Sequence, residues 1–150
     1  VGAFAIRAAR LSRHVLAVEP VMAGILEENV WLNNAPVRVL AEGLGDGAPA
    51  RIAWDDDAVV VQTRSLAAFC DDHGGCDFLK CDCEGAEWQI RPSDLDGIRR
   101  IEMELHLPPI SGPLSQPLLD HIAAHYDFTI ERRPCHDVMG VMGILHAELK

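Results

Sequence analysis

Long apolar runs are missing from this 150-residue sequence. None approaches the roughly 20 residues that a membrane span needs, and the first residues lack the charged, apolar and small-residue sections of a secretory signal. A soluble, cytoplasmic protein without a membrane span is therefore expected. Lysine is scarce as well: only Lys80 and Lys150 are Lys among 13 basic residues, and no basic cluster forms anywhere in the chain. Set against 23 acids, this leaves a formal net charge of −10, a field that repels phosphate backbones, so no nucleic-acid partner is expected. An even cysteine set is also absent. Cys70, Cys76, Cys81, Cys83 and Cys135 leave one thiol unpaired in any full disulfide scheme, which points to free thiols in a reducing compartment. Cys76, Cys81 and Cys83, with His73 nearby, are spaced x4 then x1, and alternate strand residues sit too regularly for the thiolates to close on a tetrahedral ion, so no metal is expected at them. Repeats and low-complexity stretches are missing too, and with 49% hydrophobic residues the chain suits a single domain over residues 1–150.

What is present is an alternation of short apolar runs and helical patterns. Phe4 to Leu11 reads as a helix, and His14 to Val18 as a buried parallel strand closed by Glu19-Pro20. Val21 to Leu32 reads as a second helix with Ile25, Leu26, Val30 and Trp31 inward, and Val37 to Ala41 as another strand. Gly43 to Pro49 forms a glycine-rich turn. Arg51–Trp54 and Val59–Gln62 flank three Asp, Asp55 to Asp57, that suit an exposed hairpin tip better than a cation site. Ser65 caps a helix through Phe69 to Asp72, ended by Gly74-Gly75. Asp77 to Asp82 predicts a strand, Glu84 to Ile90 a helix or helical turn, Arg99 to Leu107 a strand and Leu118 to Tyr126 a helix. Phe128–Glu131 and Val138–Leu145 make a closing antiparallel hairpin, because no helix separates them. The expected fold class is α/β, a mostly parallel sheet with a C-terminal antiparallel hairpin.

Ligands of open α/β sheets collect outside the carboxyl ends of the strands. Glu19 sits at such an end, where a carboxylate can accept both hydroxyls of a nucleoside ribose; a solvated Glu closing a strand is the plain alternative. Gly2 opens the first helix, where the end of a cofactor-approaching glycine turn would lie. Asp82 ends an apolar strand with Lys80 before it and Glu84 and Glu87 after it. Three carboxylates around one strand-to-helix turn can raise one another's proton affinity, which suits proton transfer near neutral pH, although Glu87 by itself reads better as a residue favoured by a helix dipole. Glu102, Glu104 and His106 alternate along one strand and share a face. His106 is a candidate general base or substrate contact and Glu104 a partner to it; a wet edge strand is the competing account. Cys135-His136-Asp137 reads as a loop, since adjacent residues rarely face one another as a catalytic triad.

Three blocks carry a resemblance: Gly2-Ala3-Phe4-Ala5-Ile6, Val18-Glu19-Pro20 with Leu26 to Asn33, and Phe78 to Glu87, which matches K-x-D-x-E-G-x-E. On these the chain resembles the FkbM-type family of S-adenosylmethionine-dependent methyltransferases. The resemblance implies a Rossmann-like methyltransferase fold and S-adenosyl-L-methionine as cofactor. It implies methylation of a small-molecule or glycan hydroxyl. It further places Gly2 in the cofactor turn, Glu19 on the ribose, and Asp82 beside the methionine end or the acceptor. Lys80, Glu84, Glu87 and Glu104 fall at positions that contact substrate or shape the site, with Asp82 and His106 as the catalytic candidates. The family's first strand and its Asp-x-Gly-Ala-Asn have no counterpart ahead of Val1, so the expected sheet has its first strand missing along with most of the glycine-rich motif. Two other readings stay open. One is a tRNA guanine methyltransferase-like enzyme, whose N/D-P-P-aromatic motif is not found here; the other is a non-catalytic remnant of a methyltransferase domain.

Overall fold

The computed structural model describes residues 1–54, 57–132 and 140–150. They divide into two compact units, Val1–Arg64 and Ser65–Lys150. In the first unit, α1 (Ala3–Ala8) is followed by β1 (Val15–Val18), α2 (Ala23–Leu32) and β2 (Val37–Leu40). β1 and β2 pair in parallel from Val15↔Val37 to Val18↔Leu40, with α2 as the crossover between them. α1 is shorter than its pattern, because Arg10 and Leu11 donate to the carbonyls of Arg7 and Ala8 in a tightened final turn. Leu26 is buried, but Ile25 and Trp31 are 50% and 78% exposed, contrary to the expected inward face. The buried stripe runs through Ala23 and Leu26 toward Val30, and Ile25 and Trp31 each sit one residue, about 100°, off it.

The glycine-rich segment holds an element that its composition hides. β3 (Gly43–Leu44) pairs in parallel with β6 (Thr63–Arg64), and Gly45 lies so close to Thr63 that a Cβ would come within 2.5 Å of its Oγ1. Only glycine permits that approach. Between them β4 (Ala50–Trp54) and β5 (Asp57–Val61) form the expected antiparallel hairpin. Its tip residues Asp55 and Asp56 lie outside the described residues, as does Cys135-His136-Asp137 in the second unit.

The second unit begins with α3 (Leu66–His73). Ser65 Oγ accepts from the Ala68 amide at 3.2 Å, and Gly74, at φ 82°, closes the helix as expected. β7 (Phe78–Cys81), β8 (Arg100–His106), α4 (Gln116–His125), β9 (Tyr126–Glu131) and β10 (Val141–Leu149) follow. One sheet in the order β7-β8-β10-β9 results, with β7 parallel to β8 and β10 antiparallel to both of its neighbours. The closing hairpin is therefore present. The sheet of this unit is mixed, and among the described residues the strands form four small sheets with three parallel and three antiparallel pairings. The reason is local, since the return of β10 between β8 and β9 fixes two antiparallel ladders at once.

Most of the apolar core belongs to this unit. Ile101, Met103 and Leu105 of β8 are fully buried with Leu145 of β10 and Leu118 and Ile122 of α4. Tyr126 is buried with them, its hydroxyl 3.0 Å from the Leu95 carbonyl and 2.9 Å from that of Ile98. No helix among the described residues is long and apolar enough to cross a membrane.

Candidate active site

Strand register sets the site. Leu79↔Ile101 and Cys81↔Met103 occupy the apolar face shared by β7 and β8, while Lys80↔Glu102 occupies the other. Two residues further along each strand, the same register brings Asp82 level with Glu104, just past the carboxyl end of β7. β8 is an interior strand between β7 and β10, so its polar face is not that of a wet sheet edge. Instead these side chains pair across strands. Glu102 meets His146 of β10 and also accepts from Arg100 at 2.9 Å, and Glu104 meets Asp82.

The turn after β7 is built around Glu87. Gly85, at φ 102°, lets the chain pass so close to Ser111 that a Cβ would come 2.7 Å from its Cα. Glu84, beside it, also has positive φ, 52°, an uncommon conformation for a residue with a side chain. A short 3₁₀ helix, Ala86–Gln89, follows where an α-helical start was equally expected. Glu87 is fully buried and accepts from four groups. Its Oε1 takes the His106 amide at 2.7 Å and stands 3.1 Å from His106 Nδ1, while its Oε2 takes the Gly85 amide at 2.9 Å and the Cys83 thiol at 3.5 Å. Trp88 adds a second tie, its indole N–H donating to the His106 carbonyl at 2.8 Å. The strand-to-helix turn and the end of β8 are thus joined through one buried carboxylate and one indole.

His106 is consequently only 1% exposed, with its Nδ1 against Glu87 and its Nε2 3.3 Å from Glu84 Oε2. A neutral ring that gives its Nδ1 hydrogen to a carboxylate keeps a lone pair at Nε2, whereas a protonated one donates there as well. One donor atom each of Asp82, Glu104 and His106 lies within 4.8 Å of the others. Lys80 Nζ stands 3.5 Å from Asp82 Oδ2 and supplies the neighbouring positive charge. Burial lifts the Glu104 carboxyl above its ordinary range, and the hydrogen bond and charge of Asp82 push the same way; His106 and Lys80 pull it back. This carboxyl with raised proton affinity is on β8.

Gly2 and Glu19 lie in the first unit and are described within it. Gly2, at φ 87°, accepts from the Ile6 amide through its carbonyl, and a Cβ there would come 2.3 Å from Leu26 Cδ1. Glu19 follows β1 directly, its Oε1 accepting from the Val21 and Met22 amides at 2.9 and 3.0 Å, so one oxygen braces the entry to α2. A cavity of about 380 Å³ beside α2, lined by residues such as Val30, Trp31 and Val37, contains none of the candidate residues. The free thiols of Cys81 and Cys83 stand 3.4 Å apart, flanking Asp82 in sequence. The hydrogen bond with Cys81, then burial and the neighbouring Glu87, hold Cys83 far on the protonated side.

Sequence reasoning passed over Glu87 as an anchor because nothing local marks it. Its partner is 19 residues away, and the only hint was the unexplained second Glu of the Glu84-x-x-Glu87 spacing. Neither a curated protein nor a solved structure gave a significant match to the chain. The family model described as the methyltransferase FkbM domain matches residues 2–129, and the chain belongs to that methyltransferase family.

Proposed function

We propose that this chain is an S-adenosylmethionine-dependent methyltransferase acting on a hydroxyl of a small-molecule or glycan acceptor. In this reading residues 1–150 form a single Rossmann-like domain in the cytoplasm, where its odd set of thiols suits the reducing compartment. The observation that carries it is His106 at the carboxyl end of β8, oriented by buried Glu87 and grouped with Asp82 and Glu104. Membership of the family supports methyl transfer, and the cluster supports a hydroxyl as acceptor, because a hydroxyl must lose a proton as its oxygen is alkylated.

Bound S-adenosylmethionine supplies an electrophilic methyl group. Glu19 fits the ribose: with Oε1 held by two amides, its Oε2 is left to accept from sugar hydroxyls in a fixed direction. Gly2 leaves backbone free of a side chain at the start of α1. In the second unit, Asp82 and His106 take up the acceptor's proton, Glu87 keeps the imidazole in the tautomer that can do so, and Lys80 balances the charge of Asp82. Glu84 and Glu104 shape the space around them.

Calorimetric titration with S-adenosylmethionine tests the cofactor assignment. Saturable binding is expected, weakened about tenfold in Glu19→Ala, the loss of a hydrogen bond to a charged group. Absence of heat at millimolar cofactor overturns the reading.

A further inference from the structure

We propose that Cys81 and Cys83 are a redox modification site, which a low-molecular-weight disulfide such as glutathione disulfide oxidises to an intrachain disulfide bracketing Asp82. Residues two apart on a strand share a face, so the thiol of Cys83, just beyond β7, lands beside that of Cys81 at its end. Their sulfurs stand 3.4 Å apart, and both thiols are free. Bonding requires contraction to about 2.05 Å, which a modest turn of the two side chains supplies. Alternate residues of an extended chain lie about 6.6 Å apart at Cα, close to the upper limit of about 6.8 Å that a disulfide spans. A bridge at that limit forms under strain and is easily reduced, which suits a reversible modification rather than a structural tie.

Burial sets the order of events. Cys83 is part-exposed, whereas Cys81 is 6% exposed and out of reach of a tripeptide disulfide. The Cys83 thiolate therefore attacks one sulfur of glutathione disulfide, forming a mixed disulfide and expelling one glutathione thiolate, which takes up the proton that Cys83 lost. The Cys81 thiolate then attacks the Cys83 sulfur of that mixed disulfide, and the second glutathione leaves with the Cys81 proton. The two electrons lost by the cysteine pair thus reduce one glutathione disulfide to two thiols. The product leaves no buried acceptor stranded. Cys83 gives up its 3.5 Å contact with Glu87 Oε2, but that oxygen still takes the Gly85 amide at 2.9 Å, and Oε1 still takes the His106 amide. Charge favours the same product, because a thiolate at Cys83 sits against Glu87 whereas a disulfide carries no charge. The closed ring includes the backbone of Asp82, so oxidation fixes the conformation from which that carboxylate is presented. Formation of the bridge does not rest on methyl transfer and is measured without cofactor or acceptor.

Trypsin, which cuts after Lys and Arg except before Pro, makes the test direct, because residues 81–99 carry Cys81 and Cys83 while residues 65–80 carry Cys70 and Cys76. The full reduced chain is incubated with glutathione disulfide at neutral pH for about a day, longer than the seconds to hours of ordinary exchange. It is then denatured in acid, capped with N-ethylmaleimide, digested and weighed by mass spectrometry. Peptide 81–99 is expected uncapped and lighter than its reduced form by two hydrogens, and capped at both thiols again after incubation with excess reduced glutathione. Cys81→Ser should replace the bridge with a glutathione adduct on Cys83, and Cys83→Ser should leave Cys81 reduced; circular dichroism checks that each variant is folded. A peptide 81–99 that the native chain keeps fully reduced overturns the proposal. So does a bridge found only elsewhere in the chain, or a glutathione adduct on Cys81 in Cys83→Ser.

Discussion

The two units of this chain use the same alternation of strands and helices but dispose of their apolar residues differently. In Val1–Arg64 the buried apolar side chains among the described residues are Ala23, Leu26 and Val61, and β1 is only half-covered, with Val18 37% exposed. In Ser65–Lys150 the apolar face of β8 is completely buried. The candidate chemistry follows the same division. Glu19 is braced by two local amides on a half-covered scaffold, whereas His106 is held by a fully buried carboxylate and a buried indole. Orientation of a group that must act on a reacting atom calls for the stiffer setting, since burial and several converging hydrogen bonds leave the ring one position.

Leu105→Ala should cost the most, about 2–5 kcal/mol in urea denaturation, because it removes a fully buried side chain from the central strand. A loss below about 1 kcal/mol would break the comparison by showing that this core can collapse onto the gap. Glu87→Ala comes next, at about 3 kcal/mol, because it strands the buried His106 amide and ring together. Thermal melts measure it, and Glu87→Gln should recover part of the loss.

Thiol chemistry reports on the second unit by itself, since no cysteine lies before Cys70. Burial pushes the Cys76 thiol up to about 11, with Cys70 adding to the effect. At pH 8 its alkylation by iodoacetamide should run about two orders of magnitude slower than that of a free cysteine, whose thiol titrates near 8.5. The sign for stability follows: a thiol that keeps its proton longer when folded contributes stability below about 8.5, and that contribution is lost as pH rises toward about 11. Alkylation at the free-thiol rate would mean that the segment around Cys76 opens readily. The smallest effect is expected of Trp31→Ala, within about 0.5 kcal/mol despite the size of the side chain, because it is 78% exposed. A larger loss would show that the first unit is better packed around α2 than its exposure indicates.

Features resting on neighbours within four residues were legible in advance. Ser65 capping the Ala68 amide, Gly74 ending α3 and the in-out alternation of β8 all follow from local geometry. The two-residue ladder of β3 with β6 was not legible, because its strands are too short for a period and lie about twenty residues apart. Ile25 and Trp31 were misjudged for a different reason: apolar content placed them inward, while the helix phase set by Ala23 and Leu26 turned them out. Of the candidate site, the residue types and the shared face of Glu104 and His106 were visible. The burial of His106 and the raised proton affinity of Glu104 were not, since both depend on what other strands bring alongside.

By itself the sequence determined the order of the helices and longer strands, the apolar face of β8 and, through Lys80 to Glu87, the family. Tertiary structure alone decided that Glu87 anchors His106, that Asp82 stands level with Glu104, and that β8 is an interior strand. The physical reason is range. Caps and periodicity act over one turn or two residues and can be read along the chain. A buried hydrogen bond between residues 19 apart exists only once strand register has brought both ends to the same place.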